Sequence, residues 1–229
     1  MDAVVIETHA LRRVFSKPRH LREGGWWQYL FGRTTTIEAL RDITWNVASP
    51  EQVALIGTNG SGKSTLIKCL CGVIAPSSGD VRVLGLSPTR NRRQLLPQIG
   101  VMFGQKSLLF LDVTVRDCLD LYQAVYDIEP QDARTRLLEL DDYLAIGHLL
   151  DRQVRKLSFG ERMRCEIAIA LLHRPKVCFL DEPTVGLDVE TKHAFIHLLR
   201  SAAEEGVATI VATHDSTLVV KSHSVCWHD

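Results

Sequence analysis

The sequence lacks any apolar run long enough to cross a bilayer, so we expect any role at a membrane to depend on a partner protein. It also lacks an excess of charge of either sign, because Lys plus Arg and Asp plus Glu both number 27. This balance argues against a general nucleic-acid binder, which carries surplus basic residues. Residues 1–13 are too polar for a secretory signal.

The six cysteines include no C-x-x-C pair, and most of them lie in apolar runs. This pattern predicts buried, reduced thiols rather than disulfides. Cys69 and Cys71 are separated by one residue on a predicted helix, so their side chains should point apart and not share a metal ion.

The most informative motif lies at residues 57–64, which read G-T-N-G-S-G-K-S and fit the phosphate-loop template G-x-x-x-x-G-K-[ST]. The apolar run 52–56 predicts a buried parallel strand before it, and residues 64–74 predict a helix after it. Gly60 and Gly62 allow successive N–H groups to face one anion, at the positive end of that helix. Lys63 would contact the β- and γ-phosphates, and Ser64 would offer an oxygen to Mg²⁺.

The remaining pattern predicts one α/β domain over residues 1–229. Short strands are predicted at 4–6, 43–47, 80–84, 99–103, 177–180 and 207–212, with helical periodicity over 116–150, 158–172 and 191–203. Alternating helices and apolar strands indicate a parallel sheet covered on both faces. We expect an antiparallel β edge, an inserted helical lobe at about 106–173, and a basic and aromatic insert at about 16–36.

A pair of acids ends one buried strand, in the sequence V-C-F-L-D-E-P at residues 177–183. Asp181 would lie at the carboxyl end of the strand, where α/β sheets bind ligands, and could hold Mg²⁺ through a water. Glu182 points to the other side and could take a proton from an attacking water. The alternative is an ordinary strand end with solvated acids.

Residues 157–162 read L-S-F-G-E-R, in which Ser158 and Glu161 form an S-x-x-E capping box. The motif can be a helix cap and nothing more. The Ser158 hydroxyl and the Gly160 N–H at a helix N-terminus also make an anion site. Since residues 57–64 already hold one nucleotide, this second site suggests the nucleotide of a partner subunit.

Three single residues come shortly after predicted strands or acids: Gln105, Asp188 and His214. Their order along the chain is what makes them informative. Each is weak by itself, since such residues are usually solvated or capping. With them, the chain resembles the ATP-binding subunits of ABC transporters over essentially its whole length. The resembling motifs are GTNGSGKST, Gln105, LSFGE, VCFLDE, the Gly-Leu-Asp at 186–188, and His214.

The resemblance implies a P-loop NTPase core of RecA-like fold that binds ATP and Mg²⁺. It implies a second ATP-binding subunit, identical or diverged, placed head to tail, and an ABC permease at the cytoplasmic face of the membrane. The residues implied to contact ATP are Gly57, Asn59, Gly60, Ser61, Gly62, Lys63, Ser64, Thr65, Asp188 and, from the second subunit, Ser158 and Gly160. The implied metal residues are Ser64, Gln105 and Asp181, and the implied catalytic residues are Glu182, His214, Lys63 and Gln105.

The adenine base would stack on an aromatic residue near the first strand, for which Phe15 matches the position of the family best. The aromatic residues of the 16–36 insert compete for that role: Trp26, Trp27, Tyr29 and Phe31. This cluster can instead pack on the core of the subunit or dock on a membrane partner. The apolar segment 107–111 has two similar readings, as core or as part of a groove for a permease helix.

The signature departs from the usual family pattern, with Phe159 in place of Gly and Glu161 in place of Gln. The bulk of Phe159 would alter the contact with the nucleotide of the second subunit. LSxGER followed by residues 171–175, and inserts like 16–36, resemble exporters with small six-helix permeases. Two alternatives stay open: a cassette ATPase not coupled to transport, and a non-hydrolysing, ATP-gated regulatory subunit.

Overall fold

The computed structural model describes residues 3–18, 34–104, 106–214 and 223–226. The described strands are β1 Val4–Pro18, β2 Thr34–Ala48, β3 Gln52–Ile56, β4 Ser78–Val83, β5 Ile99–Phe103, β6 Val177–Asp181, β7 Ala208–Thr213 and β8 His223–Cys226. The described α-helices are α1 Lys63–Leu70, α2 Arg92–Leu95, α3 Val115–Val125, α4 Pro130–Leu144, α5 Phe159–Leu171 and α6 Val189–Glu204. Short 3-10 turns lie at Leu96–Gln98, Gly147–Leu149 and Val154–Lys156.

Five parallel strands form the central sheet in the order β5-β6-β7-β3-β8. Strands β6 and β7 are buried along their whole length, as expected of continuous apolar runs in a sheet covered on both faces. At the carboxyl edge Ile56 pairs with Thr213, and Asp181 pairs with Ala212. The predicted α/β class is confirmed, and this edge brings the ends of β3, β6 and β7 together.

A smaller antiparallel sheet has the strand order β2-β1-β4, as the predicted antiparallel edge requires. The predicted length of its first strand is wrong, because β1 runs to Pro18 and not to residue 6. Strand β2 likewise begins at Thr34. The two strands pair from Val4↔Ala48 to Pro18↔Thr34. Main-chain hydrogen bonds between them therefore extend both strands into polar stretches, where the sequence shows no alternation of apolar residues.

Helices α3, α4 and α5 lie between β5 and β6, within the segment predicted as a helical lobe. Their apolar side chains share one core with one face of the central sheet, including Leu119, Leu140, Ile167 and Leu180. A second core lies between the two sheets and α1. The helical segment is thus packed on one face of the central sheet, against the strand that ends in Asp181.

Five cysteines are buried and free in the described part of the chain, which confirms the expected buried thiols there: Cys69, Cys71, Cys118, Cys165 and Cys178. Burial raises the pKa of the Cys165 thiol to about 12. Among the helices that the structure describes, none combines the length and apolar character needed to cross a membrane.

Candidate nucleotide-binding site

The glycine-rich loop connects β3 to α1 at the carboxyl edge of the central sheet. Gly60 and Gly62 have φ values of 94° and 97°, a region that favours glycine. A Cβ at Gly62 would overlap the carbonyl oxygen of Ala39 in β2. Glycine at 62 is therefore required both by the backbone conformation and by the close approach of the small sheet.

Lys63 is the first residue of α1 and is only 5% exposed. Its Nζ donates hydrogen bonds to the carbonyl oxygens of Gly57 at 2.7 Å and Thr58 at 2.8 Å, and lies 3.4 Å from Ser61 Oγ. A buried ammonium needs such partners. The loop thus holds a positive charge at its centre, beside the N-terminus of α1.

Ser64 and Asp181 meet across the carboxyl edge, where Ser64 Oγ donates to Asp181 Oδ1 at 3.0 Å. Burial raises the pKa of the Asp181 carboxyl, the Ser64 hydrogen bond opposes that rise, and the nearby charge of Glu182 adds to it. A hydroxyl and a buried carboxylate side by side are oxygen donors that suit a hard divalent cation such as Mg²⁺.

Glu182 and His214 form a second polar pair beside Asp181. His214 Nδ1 lies 3.0 Å from Glu182 Oε1 and 2.9 Å from Oε2. Glu182 has a φ of 55°, an uncommon conformation for a side chain other than glycine, which turns the residue out of the strand direction. The carboxylate therefore faces the same cleft as Asp181, with an imidazole in contact with it.

These residues converge on one cleft of about 480 Å³. Its lining comprises Asn59, Gly60, Gly62, Lys63, Ser64, Thr65, Gly104, Phe159, Met163, Asp181, Glu182 and Val185. The structure thus brings together the phosphate-loop residues and both acids, with His214 held against Glu182. Met163, Val185 and Gly104 also line the cleft and were not predicted from sequence, although Met163 lies one helical turn after Phe159.

The predicted capping box at the start of α5 is confirmed. Ser158 Oγ accepts from the Glu161 N–H at 3.2 Å, and the Ser158 N–H donates to Glu161 Oε2 at 2.7 Å. The Ser158 backbone hydrogen bond is the main cause that lowers the pKa of Glu161, and Arg152 contributes through a contact of 2.6 Å. Ser158 and Gly160 lie beside the lining residue Phe159 but are not part of the cleft lining.

Phe159 packs on the loop that follows Glu182 in the same chain. A Cβ at Gly186, which has a φ of 75°, would overlap the Phe159 ring, and a Cβ at Gly160 would lie 2.9 Å from the Gly186 carbonyl oxygen. Asp188 then caps α6, accepting from the Thr191 N–H at 2.7 Å. Asp188 has a local capping role that the sequence analysis did not predict, and it lies outside the cleft lining.

Phe15 lies on β1 opposite Ile37, outside the lining of the cleft. The guanidinium of Arg13 is 4.5 Å from the centroid of its ring, so one ring face already has a cationic neighbour. Gln105 and the aromatic cluster Trp26, Trp27, Tyr29 and Phe31 lie outside the described residues.

A glycine-rich loop between a parallel strand and a helix, with an acid at the end of a nearby strand, defines a P-loop nucleotide-binding domain. Residues 40–185 match the family model described as "ABC transporter". The chain therefore belongs to the ABC transporter family. The predicted family and the predicted P-loop fold are both confirmed.

The relatives include several proteins described as ABC transporter ATP-binding proteins. A Streptomyces avermitilis protein assigned to this group is 36% identical over 82% of this chain and 33% of its own length. NatA of Bacillus subtilis, an ABC transporter ATP-binding protein, is 26% identical over 83% of this chain and 81% of its own. The chain thus spans about a third of the first relative and about four-fifths of the second.

Solved structures show the same fold. One described as the ATP-binding subunit of an ABC transporter has a TM-score of 0.81 and 25% identity, covering 98% of this chain and 86% of that chain. CbiO1 from Clostridium perfringens has a TM-score of 0.70 and 29% identity, covering 96% of this chain and 81% of its own. A dimeric cassette, MJ0796, has a TM-score of 0.77 and 24% identity, covering 97% of this chain and 94% of its own, and supports the fold alone.

Proposed function

We propose that this chain binds and hydrolyses ATP in the cleft between the phosphate loop and the two acids, and that hydrolysis powers an ABC-type exporter. The observation that carries the proposal is the convergence of Lys63, Ser64, Asp181 and Glu182 on one cleft, with His214 against Glu182. A phosphate cradle, a cation site and a base for water are the parts that phosphoryl transfer to water requires.

The triphosphate would bind along the loop from Gly57 to Thr65, with the backbone N–H groups and the α1 N-terminus around it. Lys63 would then turn from the loop carbonyls to the phosphates, since its ammonium is already in the cleft wall. Asn59, Gly60, Ser61 and Gly62 supply the surrounding backbone. Ser64 and Asp181 would hold Mg²⁺, with Gln105 as a further ligand, and the bound ion would neutralise phosphate charge.

Glu182 would orient the attacking water and accept its proton while the oxygen bonds to the γ-phosphorus and the bond to ADP breaks. The proton passes to the Glu182 carboxylate, and phosphate and ADP are the products. His214 would hold Glu182 in place and contact the γ-phosphate. This role follows from the contact between the imidazole and the carboxylate.

A second cassette, identical or diverged, would complete the site by placing its Ser158 hydroxyl and Gly160 N–H on the γ-phosphate. The N-terminus of α5 suits this role because the capping box leaves it well formed and Ser158 is exposed. Asp188 would lie near the junction of the two subunits. Phe15 would stack on adenine from the ring face opposite Arg13.

The membrane partner would be an ABC permease, with this chain at the cytoplasmic face. In the segment 107–111, Leu109 belongs to the core whereas Phe110 and Leu111 are about half exposed, so the segment splits between the two predicted roles. The exposed pair would contact the permease. Export is supported by the similarity to YbhF of Escherichia coli, described as a "probable multidrug ABC transporter ATP-binding protein".

ATP turnover in the purified protein, alone and with its copurifying membrane protein, tests the proposal. We expect Glu182→Gln to lower steady turnover at least about 100-fold while ATP binding persists, because the base is lost and the cradle is not. ATP with Mg²⁺ should bring two cassettes together in this variant, as measured by light scattering. Unchanged turnover would falsify the assignment of Glu182, and copurification with ribosomes alone would contradict the transport role.

A further inference from the structure

Glu166 is a buried acid on α5, 5% exposed, that the proposed chemistry does not use. Ser107 Oγ donates a hydrogen bond to Glu166 Oε1, and the backbone of Leu108 also hydrogen-bonds the carboxylate. Ser107 Oγ in turn accepts from the Leu109 N–H at 3.1 Å. Burial raises the pKa of Glu166, and the Ser107 bond opposes that rise. These bonds fix residues 107–109 on α5, since a buried carboxylate requires its partners.

The face of α5 that carries Glu166 also contributes to the wall of the nucleotide cleft. Phe159 and Met163 line that cleft and are four residues apart, and Glu166 follows three residues later. Residues at these spacings lie along one face of a helix. The face that lines the cleft therefore continues directly into the Glu166 carboxylate.

Another part of the cleft wall is the turn after β5, which leads to Ser107. The Lys106 N–H donates to the Phe103 carbonyl oxygen at 3.0 Å and closes this turn. Gly104 within it lines the cleft, and a Cβ there would lie 3.0 Å from the Asp181 carbonyl oxygen and 3.5 Å from the Glu182 Cβ. A shift of the turn would therefore move the surroundings of both acids.

We propose that Glu166 is a positioning residue for ATP hydrolysis: through Ser107 it holds the turn after β5 against α5, beside the cleft. The inference rests on the proposed function and adds a residue to it. The hydrogen bonds of Glu166 hold the segment that follows Gly104, which lies beside Glu182. The phosphate loop is held separately, by Lys63 and by its own backbone. Loss of the hydrogen bond between Glu166 and Ser107 should therefore slow the chemical step and leave ATP affinity nearly unchanged.

Steady-state kinetics of Glu166→Ala and Glu166→Gln provide the test. We expect Glu166→Ala to lower kcat about tenfold, with KM for ATP within about twofold, because one hydrogen bond to a buried charged group is lost. Glu166→Gln keeps a carbonyl oxygen for Ser107 and should retain at least about half of the wild-type kcat. Ser107→Ala should match Glu166→Ala, and the double variant should be no slower than the slower single variant. Glu7→Ala, an exposed acid on β1, is the control.

Amide hydrogen exchange reports directly on the hydrogen bond between Glu166 and Ser107. The Leu109 amide, bound to Ser107 Oγ, should exchange faster in Glu166→Ala and at the wild-type rate in Glu166→Gln. Equal kcat in wild type and Glu166→Ala, or a loss that appears in KM alone, would overturn the role of Glu166. A wild-type protein without ATP turnover would instead overturn the proposed function, so the two failures are distinct.

Discussion

At the scale of single residues, Asp181 is a buried acid at the carboxyl edge of the central sheet. It is 6% exposed, and its described hydrogen bond comes from the Ser64 hydroxyl. Burial raises its pKa, so the folded protein binds its proton more tightly than the unfolded chain does. Folding stability therefore falls as pH rises through the unfolded value of about 4 to the folded value, and stays lower above both.

We expect Asp181→Asn to stabilise the protein at neutral pH, because it removes a buried charge and keeps an oxygen for Ser64. The gain should be of the order of 1 kcal/mol and should vanish below about pH 4, where the acid is protonated in both states. Urea unfolding across pH measures this difference. Asp112→Asn, at a side chain 90% exposed, serves as the control. A variant less stable than wild type at pH 7 would contradict the expectation.

The convergence of the proposed site residues on one cleft could be predicted from sequence, because each of them follows a locally readable pattern. Lys63 and Ser64 follow directly from the glycine-rich turn, and Asp181 follows from the end of an apolar strand. The ring of Phe159 is different, because its position on Gly186 depends on how α5 meets a loop more than 20 residues further along the chain. No local pattern encodes that contact.

At the scale of elements, the junction between α5 and the loop before α6 can be tested by a pair of substitutions. Gly186→Ala should cost about 2 kcal/mol of unfolding free energy, because the residue has a positive φ and the new methyl group overlaps the Phe159 ring. In a Phe159→Ala background the same change should cost only about 1 kcal/mol, since backbone strain alone remains. Chemical denaturation of the four proteins measures the coupling, and equal costs in both backgrounds would rule out the packing contact.

Strands differ in how far the sequence predicts them. Strands β3, β5, β6 and β7 are continuous apolar runs, and their observed bounds agree with the predicted bounds to within about one residue. Strands β1 and β2 are long because they pair with each other, and residues such as Arg12, Glu38 and Arg41 form ion pairs along them. Pairing of this kind depends on the partner strand, so single-strand periodicity underestimates it.

At the scale of the whole molecule, His173 joins the helical segment to the central sheet. Its ring stacks on Tyr126 of the α3 C-terminus at 3.8 Å, and its Nε2 lies 3.0 Å from the Ile99 carbonyl oxygen in β5. Burial lowers the pKa of His173 to about 4. The unfolded chain takes up this proton at a higher pH than the folded protein, so stability is lost as pH falls from about 6.5 towards 4.

We expect His173→Gln to lose less stability than wild type over that range of pH. The wild-type loss from this group should approach about 3 kcal/mol at pH 4, because 2.5 pKa units separate the two states. Thermal or urea unfolding from pH 7 to pH 4 measures the difference, with His193→Gln on the exposed face of α6 as control. Parallel pH profiles for wild type and His173→Gln would show that folding leaves the pKa of the ring unchanged, and would contradict the expectation.

The small sheet has a consequence for how this chain can vary. Strand β1 pairs with β4 only as far as Arg12↔Ser78, whereas its pairing with β2 continues to Pro18↔Thr34. Ala39, against Gly62, lies where the β1–β2 register shifts, between Arg13↔Leu40 and Val14↔Glu38. Pro18 and Thr34 are thus paired with each other at strand ends several residues away from the Ala39 contact with the phosphate loop. A connection that joins paired strand ends can change in length without altering the strand that contacts the phosphate loop.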